Sequence, residues 1–592
     1  MNQFIKFMFA SFLGTLITFL VLFLVFFAMI AGIVAMAESD EVEIKENTVL
    51  YINWQEPILD RGSDNPFEGF DFATMESKKP LGLNDILRNL EKAAEDPNIS
   101  GIFLNMEFIP TGGTTIGEIR DKLEEFKESG KFIISYANNY DQGAYYLASL
   151  ADEIYLHPDG MIMFKGLNLQ VMFLKGLLDK LEIEAQVVRG PDNKYKSAVE
   201  PLMLEKMSEA NREQLSVLAN SIWGRILLAL SKSRGISIED LNNIADNLDL
   251  TQADNAVSLN FADGLLHYDE VLDLLKEKTG IEKEDDLEWV SFNKYINVKP
   301  ADKPTTSRNR IAVVYAQGSI VPGKGGPMEI GGRSMAKAIR EARTSDRVKA
   351  MVFRVNSGGG DAQASEEIRR EIALAAEKMP VIVSMGDVAA SGGYWISTNA
   401  DYIFAHPTTI TGSIGVFGVI PNFKDMFNNK LGITFEEVMT NKNSDFIDVM
   451  KPMPEYQHEK LNQIIIDIYD EFIALVATTR ELDPGFVDGI ARGRVWSGTD
   501  AMELGLIDEL GGLEDAIAHA AEEADLGEDY KISNYPVRKP FFEQLVEEIM
   551  GNAQTRMVEQ ELGDFKPYYD QLKAIRKMEG VQARLPFIYT MN

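Results

Sequence analysis

The sequence contains no cysteine and only five histidines among 592 residues. The first absence excludes disulfides, a thiol nucleophile and cysteine-ligated zinc, so covalent chemistry falls to a serine, a threonine or a carboxylate. The second leaves few candidates for a histidine base. Positive charge is also in short supply: 58 Lys plus Arg stand against 91 Asp plus Glu, a net charge of −33. Such a field repels nucleic acid and anionic surfaces, which argues against nucleic-acid binding.

What the chain has is length, apolar residues and one long uncharged run. At 45% hydrophobic and 25% charged it is globular, and it is too long for one ordinary domain. No charged residue occurs from Phe7 to Ala37. As a helix rising ~1.5 Å per residue, that run is roughly 46 Å long, more than the ~30 Å hydrocarbon core of a bilayer. Ala35-Met36-Ala37 has the small-x-small look of a cleavage site. The run before it nevertheless exceeds the apolar region of a cleavable signal peptide, about 7 to 15 residues, so the expectation is an uncleaved single-pass anchor. Lys6 precedes the run, and Glu38, Asp40, Glu41 and Glu43 follow it. That asymmetry keeps the N-terminus in the cytoplasm and puts the bulk of the chain outside it.

Beyond the anchor the chain contains itself twice. GIFLNMEF from Gly101 matches AMVFRVNS from Ala350, and DEIYLHP from Asp152 matches DYIFAHP from Asp401, at the same offset of 249 residues. The openings NTVLYINWQEPIL and NRIAVVYAQGSIV correspond as well, as do the closings AVSLNFADGLLHY and AMELGLIDELGG. The domain plan is therefore an anchor over 1–45, a first copy over 46–300, a second over 301–535 and a helical, partly apolar tail over 536–592. The polar stretch ADKPTTSRN, residues 301–309, is the join.

Within each copy, continuously apolar runs such as IAVVYA, AMVFRV and VIVSM read as strands covered on both faces. Between the last two lies SEEIRREIALAAEKM, with Ile368, Ile372, Ala375, Ala376 and Met379 at helical spacing. Strands alternating with helices of this length predict α/β domains built of βαβ units on a mainly parallel sheet. Active groups in such folds sit where strands end and helices begin.

GDVAASGGYWIS, residues 386–397, places Ser391 at such a point, just after VIVSM and at the start of a predicted helix GGYWISTNA. The small neighbours Ala390, Gly392 and Gly393 leave room for a substrate backbone, and the Gly392 N–H could donate to an oxyanion. RVNSGGGD, residues 354–361, is a second strand end rich in glycine and could supply another donor. The plain alternative is a serine that caps its helix between tightly packed glycines. The pattern is not G-x-S-x-G, so the nucleophile-elbow motif does not apply.

Histidine is a poor base here. His157 and His406 are equivalent in the two copies and each precedes a proline, which points to a shared structural role; His267, His458 and His519 have no acidic partner suggested by the sequence. A buried lysine with a lowered pKa is the other solution, and KYKSAVEP, residues 194–201, holds the candidates.

Together, GDVAASGGYWIS, TGSIGVFG, RVNSGGG, GRVWSGTDAMELGLIDELGG, YKSAVEP, the anchor and the duplication resemble the signal peptide peptidase A (protease IV) family, peptidase family S49, in its long double-domain form. The resemblance runs from the anchor to about residue 525. It implies tandem Clp-protease/crotonase-like domains and a membrane-anchored Ser/Lys endopeptidase that degrades leftover signal peptides through an acyl-enzyme. It implies Ser391 as nucleophile, Lys196 as general base and Ser413 as the group that orients the lysine, with Gly392 and Gly359 or Gly360 forming the oxyanion hole. The family usually has Pro where Gly358 stands. The resemblance also implies no cofactor or metal, hydrophobic peptide substrates, a homotetramer, and a place in the bacterial inner membrane with the catalytic domains on the periplasmic side.

At the 249 offset Ser391 faces Gln142, Ser413 faces Phe164, and RVNSGGG faces NMEFIPT, so the first copy lacks the serine machinery. Lys196 faces Asp445 on an ungapped count. Each copy then carries half of the dyad, and catalysis requires the copies to dock. Two other functions fit the fold class, an acyl-CoA enzyme of the crotonase type and a non-catalytic membrane scaffold. GKGG at 323–326 lacks P-loop spacing and reads as a turn.

Overall fold

The two copies fold on one plan, and the 249-residue offset carries over to their elements. Strands Phe132–Tyr140 and Val381–Ala390 begin at that separation, as do helices Leu83–Glu95 and Gly332–Arg343, and helices Gly113–Glu128 and Ala362–Ala376. The computed structural model describes residues 2–37, 44–62, 70–71, 76–77, 79–190, 193–299, 306–326, 328–538 and 580–584. Most of the 301–309 join lies outside them.

The first copy holds a six-stranded sheet in the order Gly264–Leu265, Glu153–Ile162, Phe132–Tyr140, Ile99–Leu104, Thr48–Ile52, Trp289–Ser291. Every neighbouring pair in it is parallel. The second copy builds Val495–Ser497, Ile410–Gly412, Val381–Ala390, Val348–Ser357, Arg310–Gln317 and Lys531–Tyr535 into the matching sheet, with Tyr402–Ala405 and Glu509–Leu510 branching from Val381–Ala390. Only the pairing of Ile410–Gly412 with Val495–Ser497 is antiparallel there. Strand Val348–Ser357 is buried almost along its length, as its apolar stretch Ala350–Phe353 requires. Ile368, Ile372 and Ala375 face the core from helix Ala362–Ala376, and Ala376 and Met379 pack at its margin.

A third sheet ties the copies together. Its order is Glu329–Gly331, Ser319–Val321, Gly359–Asp361, Gly580–Arg584, Phe417–Asn422, Glu184–Arg189. First-copy strand Glu184–Arg189 lies antiparallel to second-copy strand Phe417–Asn422 over six residue pairs. The chain that leaves Arg189 toward Lys196 is thereby carried onto the second copy. Of the tail expected to be helical, PFFEQLVEEIM lies outside the described residues, 536–538 form no regular element, and Gly580–Arg584 is a strand. It fills the gap between two strands that would otherwise present unpaired backbone groups.

The copies also share a core and a buried ionic cluster. One apolar core includes Leu50, Ile102 and Ile133 from the first copy with Ile311, Val313 and Val352 from the second. Arg354 donates to Asp60 at 2.8 Å and to Glu118 at 2.7 Å, with all three side chains at most 3% exposed. Beside it, the Asp387 carboxylate accepts from the backbone N–H groups of Thr114 and Thr115 at the start of helix Gly113–Glu128.

The N-terminal helix, Asn2–Ala37, is 36 residues long. Its segment Gln3–Leu24 is long and apolar enough to cross a membrane and is not packed on the rest of the chain.

Candidate active site

Ser391 stands at the end of strand Val381–Ala390, pinned between neighbours on both sides: Ala389 is registered with Ser357 and with Thr411, and Ala390 with Gly412. Its backbone has φ 58° and ψ −114°, a conformation that costs an L-residue on the order of 1–3 kcal/mol and persists only where the surroundings impose it. One restraint is explicit, since the Ser391 N–H donates to the Gly412 carbonyl at 2.8 Å. The hydroxyl makes no capping bond to the following helix, which removes the capping explanation for this serine. That helix is also shorter than GGYWISTNA suggests, Gly392–Trp395 only. Ser397 Oγ donates to the Gly393 carbonyl and Thr398 Oγ1 to the Trp395 carbonyl, side-chain bonds that end the helix before the chain turns into strand Tyr402–Ala405. With so short a helix, any anion stabilisation rests on individual N–H groups rather than on a dipole.

Lys196 meets this serine from the other copy. Its Nζ lies 2.7 Å from Ser391 Oγ, 2.8 Å from the Ser413 carbonyl oxygen and 2.9 Å from Ser413 Oγ. Both Lys196 and Ser391 are wholly buried. Among the described residues no carboxylate compensates the amine, and burial holds its pKa well below the ordinary lysine value. Three of the groups expected together, Ser391, Lys196 and Ser413, are thus assembled within one chain.

The lysine is held by backbone as much as by its own side chain. The Tyr195 N–H donates to the Arg492 carbonyl at 3.1 Å, the Gly493 N–H to the Ile414 carbonyl at 2.8 Å, and the Ser413 N–H to the Arg494 carbonyl at 2.6 Å. Gln214, buried on helix Glu209–Arg234, donates to the Tyr195 carbonyl at 3.0 Å and to Ser197 Oγ at 2.8 Å. Sequence reasoning missed Gln214, whose helical surroundings carry no motif. It also gave no role to Gly493, although GRVWSG was visible as a motif.

The glycines divide by position. A Cβ on Gly359 would fall 2.6 Å from the Gly392 nitrogen, so these two residues face each other across a notch beside Ser391. A Cβ on Gly360 would instead collide with the Ile320 carbonyl, so this glycine permits close strand packing. The Gly359 N–H donates to Ser357 Oγ at 3.1 Å. The Gly392 N–H opens a helix and has no carbonyl one turn earlier to bond.

The histidines stay apart from this cluster. The His157 Nδ1 accepts the Asp159 N–H and the His406 Nδ1 accepts the Thr408 N–H, the same turn in both copies and the structural role their spacing suggested. In the first copy, Gln142 accepts from the N–H groups of Lys165 and Gly166, and Phe164 packs on Trp223 and Phe261, so those positions close a loop and fill a core. Asp445 is paired with Lys451 and accepts from Gln457, away from any counterpart of the lysine site.

The profile of peptidase family S49 matches residues 125–282 and 373–527. The chain is 38% identical to "Protease 4" of Salmonella typhi, over 81% of this chain and 77% of that one. It is 34% identical to "Serine protease SPPA, chloroplastic" of Arabidopsis thaliana, over 85% of this chain and 74% of that one. A solved structure of a ClpP1 mutant from Listeria monocytogenes aligns with 35% of this chain and 94% of its own at 17% identity and a TM-score of 0.24.

Proposed function

This chain belongs to peptidase family S49 and is a serine-type peptidase, and from that premise we propose a membrane-anchored endopeptidase with a Ser391/Lys196 dyad that degrades leftover signal peptides and similar hydrophobic segments. The observation that carries the reading is the 2.7 Å approach of a fully buried, uncompensated lysine amine to a strained, buried serine hydroxyl.

A neutral Lys196 has one lone pair and two N–H bonds. Its three neighbours match that inventory: the N–H bonds go to the Ser413 carbonyl and hydroxyl oxygens, and the lone pair accepts the Ser391 hydroxyl. Lys196 takes the serine proton as Oγ attacks the peptide carbonyl, then delivers it to the leaving amine. Water, deprotonated by the same amine, hydrolyses the acyl-enzyme. The Gly392 N–H is one oxyanion donor. The second donor comes from the glycine loop, Gly359 or Gly360; the Gly359 N–H already donates to Ser357 Oγ, which favours Gly360.

The N-terminal helix serves as the anchor, in a bacterial inner membrane. Lys6 before it and the acidic residues after it put the peptidase on the periplasmic side, where hydrophobic peptides released in the membrane reach it. The working assembly is a homotetramer. No cofactor or metal takes part.

The test is active-site labelling of the detergent-solubilised full chain by a fluorophosphonate probe, with the modified peptide identified by mass spectrometry. The label is expected on Ser391. Ser391→Ala should lose labelling and peptide hydrolysis while keeping its fold and membrane association. Full hydrolysis by Ser391→Ala, or by Lys196→Ala at neutral pH, would overturn the assignment.

A further inference from the structure

Arg494, in the motif GRVWSG, touches the surroundings of Lys196 on both copies. Its carbonyl accepts the Ser413 N–H at 2.6 Å, so its main chain holds the residue whose two oxygens face Lys196 Nζ. Ser413 has φ 51°, a conformation that a side chain disfavours and that this bond helps to impose. The Arg494 side chain reaches Tyr195, the neighbour of Lys196. Its guanidinium carbon lies 4.9 Å from the centre of the Tyr195 ring and 4.5 Å from that of the Trp496 ring, and Nη1 donates to Tyr195 Oη at 3.3 Å. Trp496 is registered with Thr411, so the guanidinium joins a ring of the lysine copy to a ring on the sheet of the serine copy. Arg494 Nε is buried without a hydrogen-bond partner among the described residues, which leaves the two ring faces as the main restraint on the guanidinium. The other charged groups around Tyr195 are Lys194, with Nζ 4.7 Å from the ring centre, and Glu213, which accepts from Arg494 Nη1 at 3.3 Å. Residues 193–196 belong to no helix or strand, and Lys196 precedes a turn of only three residues, Ser197–Val199. No regular element therefore fixes how the amine approaches Ser391, and the buried Tyr195 ring is the adjacent handle.

We propose that Arg494 is a positioning residue for the dyad: stacked on Tyr195 and Trp496, it sets how far the Lys196 amine reaches toward Ser391, an inference that rests on the Ser391/Lys196 reading above. The role needs a planar cation, because a lysine ammonium at 494 keeps the charge but cannot lie flat on two rings. Without the stack, the Tyr195 ring loosens, the lysine stem draws back from the serine, and water gains access to the amine. Two consequences follow together: slower proton transfer, and weaker suppression of the ammonium form by burial.

The experiment measures hydrolysis of a hydrophobic peptide against pH by the detergent-solubilised full chain as wild type, Arg494→Met, Arg494→Lys and Tyr195→Leu, with Ser391→Ala as the reference and thermal unfolding as the check of fold. Each of the three variants is expected to keep KM, to lose about tenfold or more in kcat, and to gain activity at a higher pH than wild type does. Arg494→Met combined with Tyr195→Leu should be no slower than Tyr195→Leu alone, because the arginine acts through the ring. Wild-type kcat in Arg494→Met or Arg494→Lys would overturn the proposal, and so would a lowered kcat with the pH midpoint unmoved, which is the mark of a merely structural loss. If Arg494→Met does not fold, Arg494→Lys and Tyr195→Leu carry the same expectations. Full hydrolysis by Ser391→Ala in the same assay would overturn the dyad itself, whereas an inactive Ser391→Ala beside a wild-type-like Arg494→Lys overturns only the role of the arginine.

Discussion

Gly493 lies directly against the backbone of Lys196: a Cβ added to the glycine would fall 2.5 Å from the Lys196 nitrogen, Cα and Cβ alike. At φ 82° the glycine is also in a conformation that a side chain disfavours. The Lys196 ammonium or amine is therefore positioned by a residue that never touches it.

Gly493→Ala should displace the lysine stem from Ser391 while leaving both cores intact. A displacement of about 1 Å costs on the order of 10²-fold in rate. The loss is expected in kcat, with KM little changed, because the notch that receives the peptide backbone is formed by Gly359 and Gly392. Steady-state kinetics on a hydrophobic peptide would check this; a proportional rise in KM with kcat preserved would contradict it.

Activity should rise with pH as Lys196 loses its proton, following a single ionisation at a pKa well below the ordinary lysine value. Lys196→Arg, which stays protonated throughout, should be inactive at every pH. Stability carries the same signature. Between the lowered folded pKa and 10.5 the unfolded chain binds one proton more than the folded chain, so stability rises with pH across that window, by about 1.4 kcal/mol per pH unit. Lys196→Met should thus melt above wild type at neutral pH, with the gap closing toward pH 10.5. Thermal unfolding from pH 6 to pH 10 measures both.

Strands and helices were legible because the 249-residue repeat and the buried runs around VIVSM leave one arrangement, and the register of the two copies follows from it. Ser391 was legible as a strand-end serine between small residues. Lys196 was not separable from Lys194 by residue pattern alone, since nothing in KYKSAVEP says which amine is buried; the resemblance chose it, and burial in the fold supports that choice. Gln214, the Gly493 contact and the tail strand depend on segments far apart in sequence. Such contacts leave no local period to read.

The first copy should contribute no second catalytic centre. Gln142 at the position of Ser391 closes the 165–166 loop, and Phe164 at the position of Ser413 is locked among aromatic rings. In a Ser391→Ala background, Gln142→Ser should restore no hydrolysis and take up no fluorophosphonate label. Labelling at residue 142 would show a usable base near it and contradict the prediction.

Arg354 links the two halves of the dyad to one ionic cluster. It begins RVNSGGGD, it donates to Ser384 on the serine strand at 2.8 Å, and its partners Asp60 and Glu118 belong to the copy that carries Lys196. Arg354→Met would leave two carboxylates buried without a counter-charge, and breaking such a cluster from one side costs about 3–5 kcal/mol. Much of that penalty is the stranded charge rather than the worth of the pairing. Adding Asp60→Asn and Glu118→Gln to Arg354→Met should therefore recover most of the thermal stability. It should not recover the rate in step, because the amides and thioether no longer fix how the lysine copy sits on the serine copy. Melting temperature and kcat measured across the single and triple variants separate the two effects. Recovery of both together would mean that the cluster supplies stability alone, and that docking geometry is set by the shared apolar core.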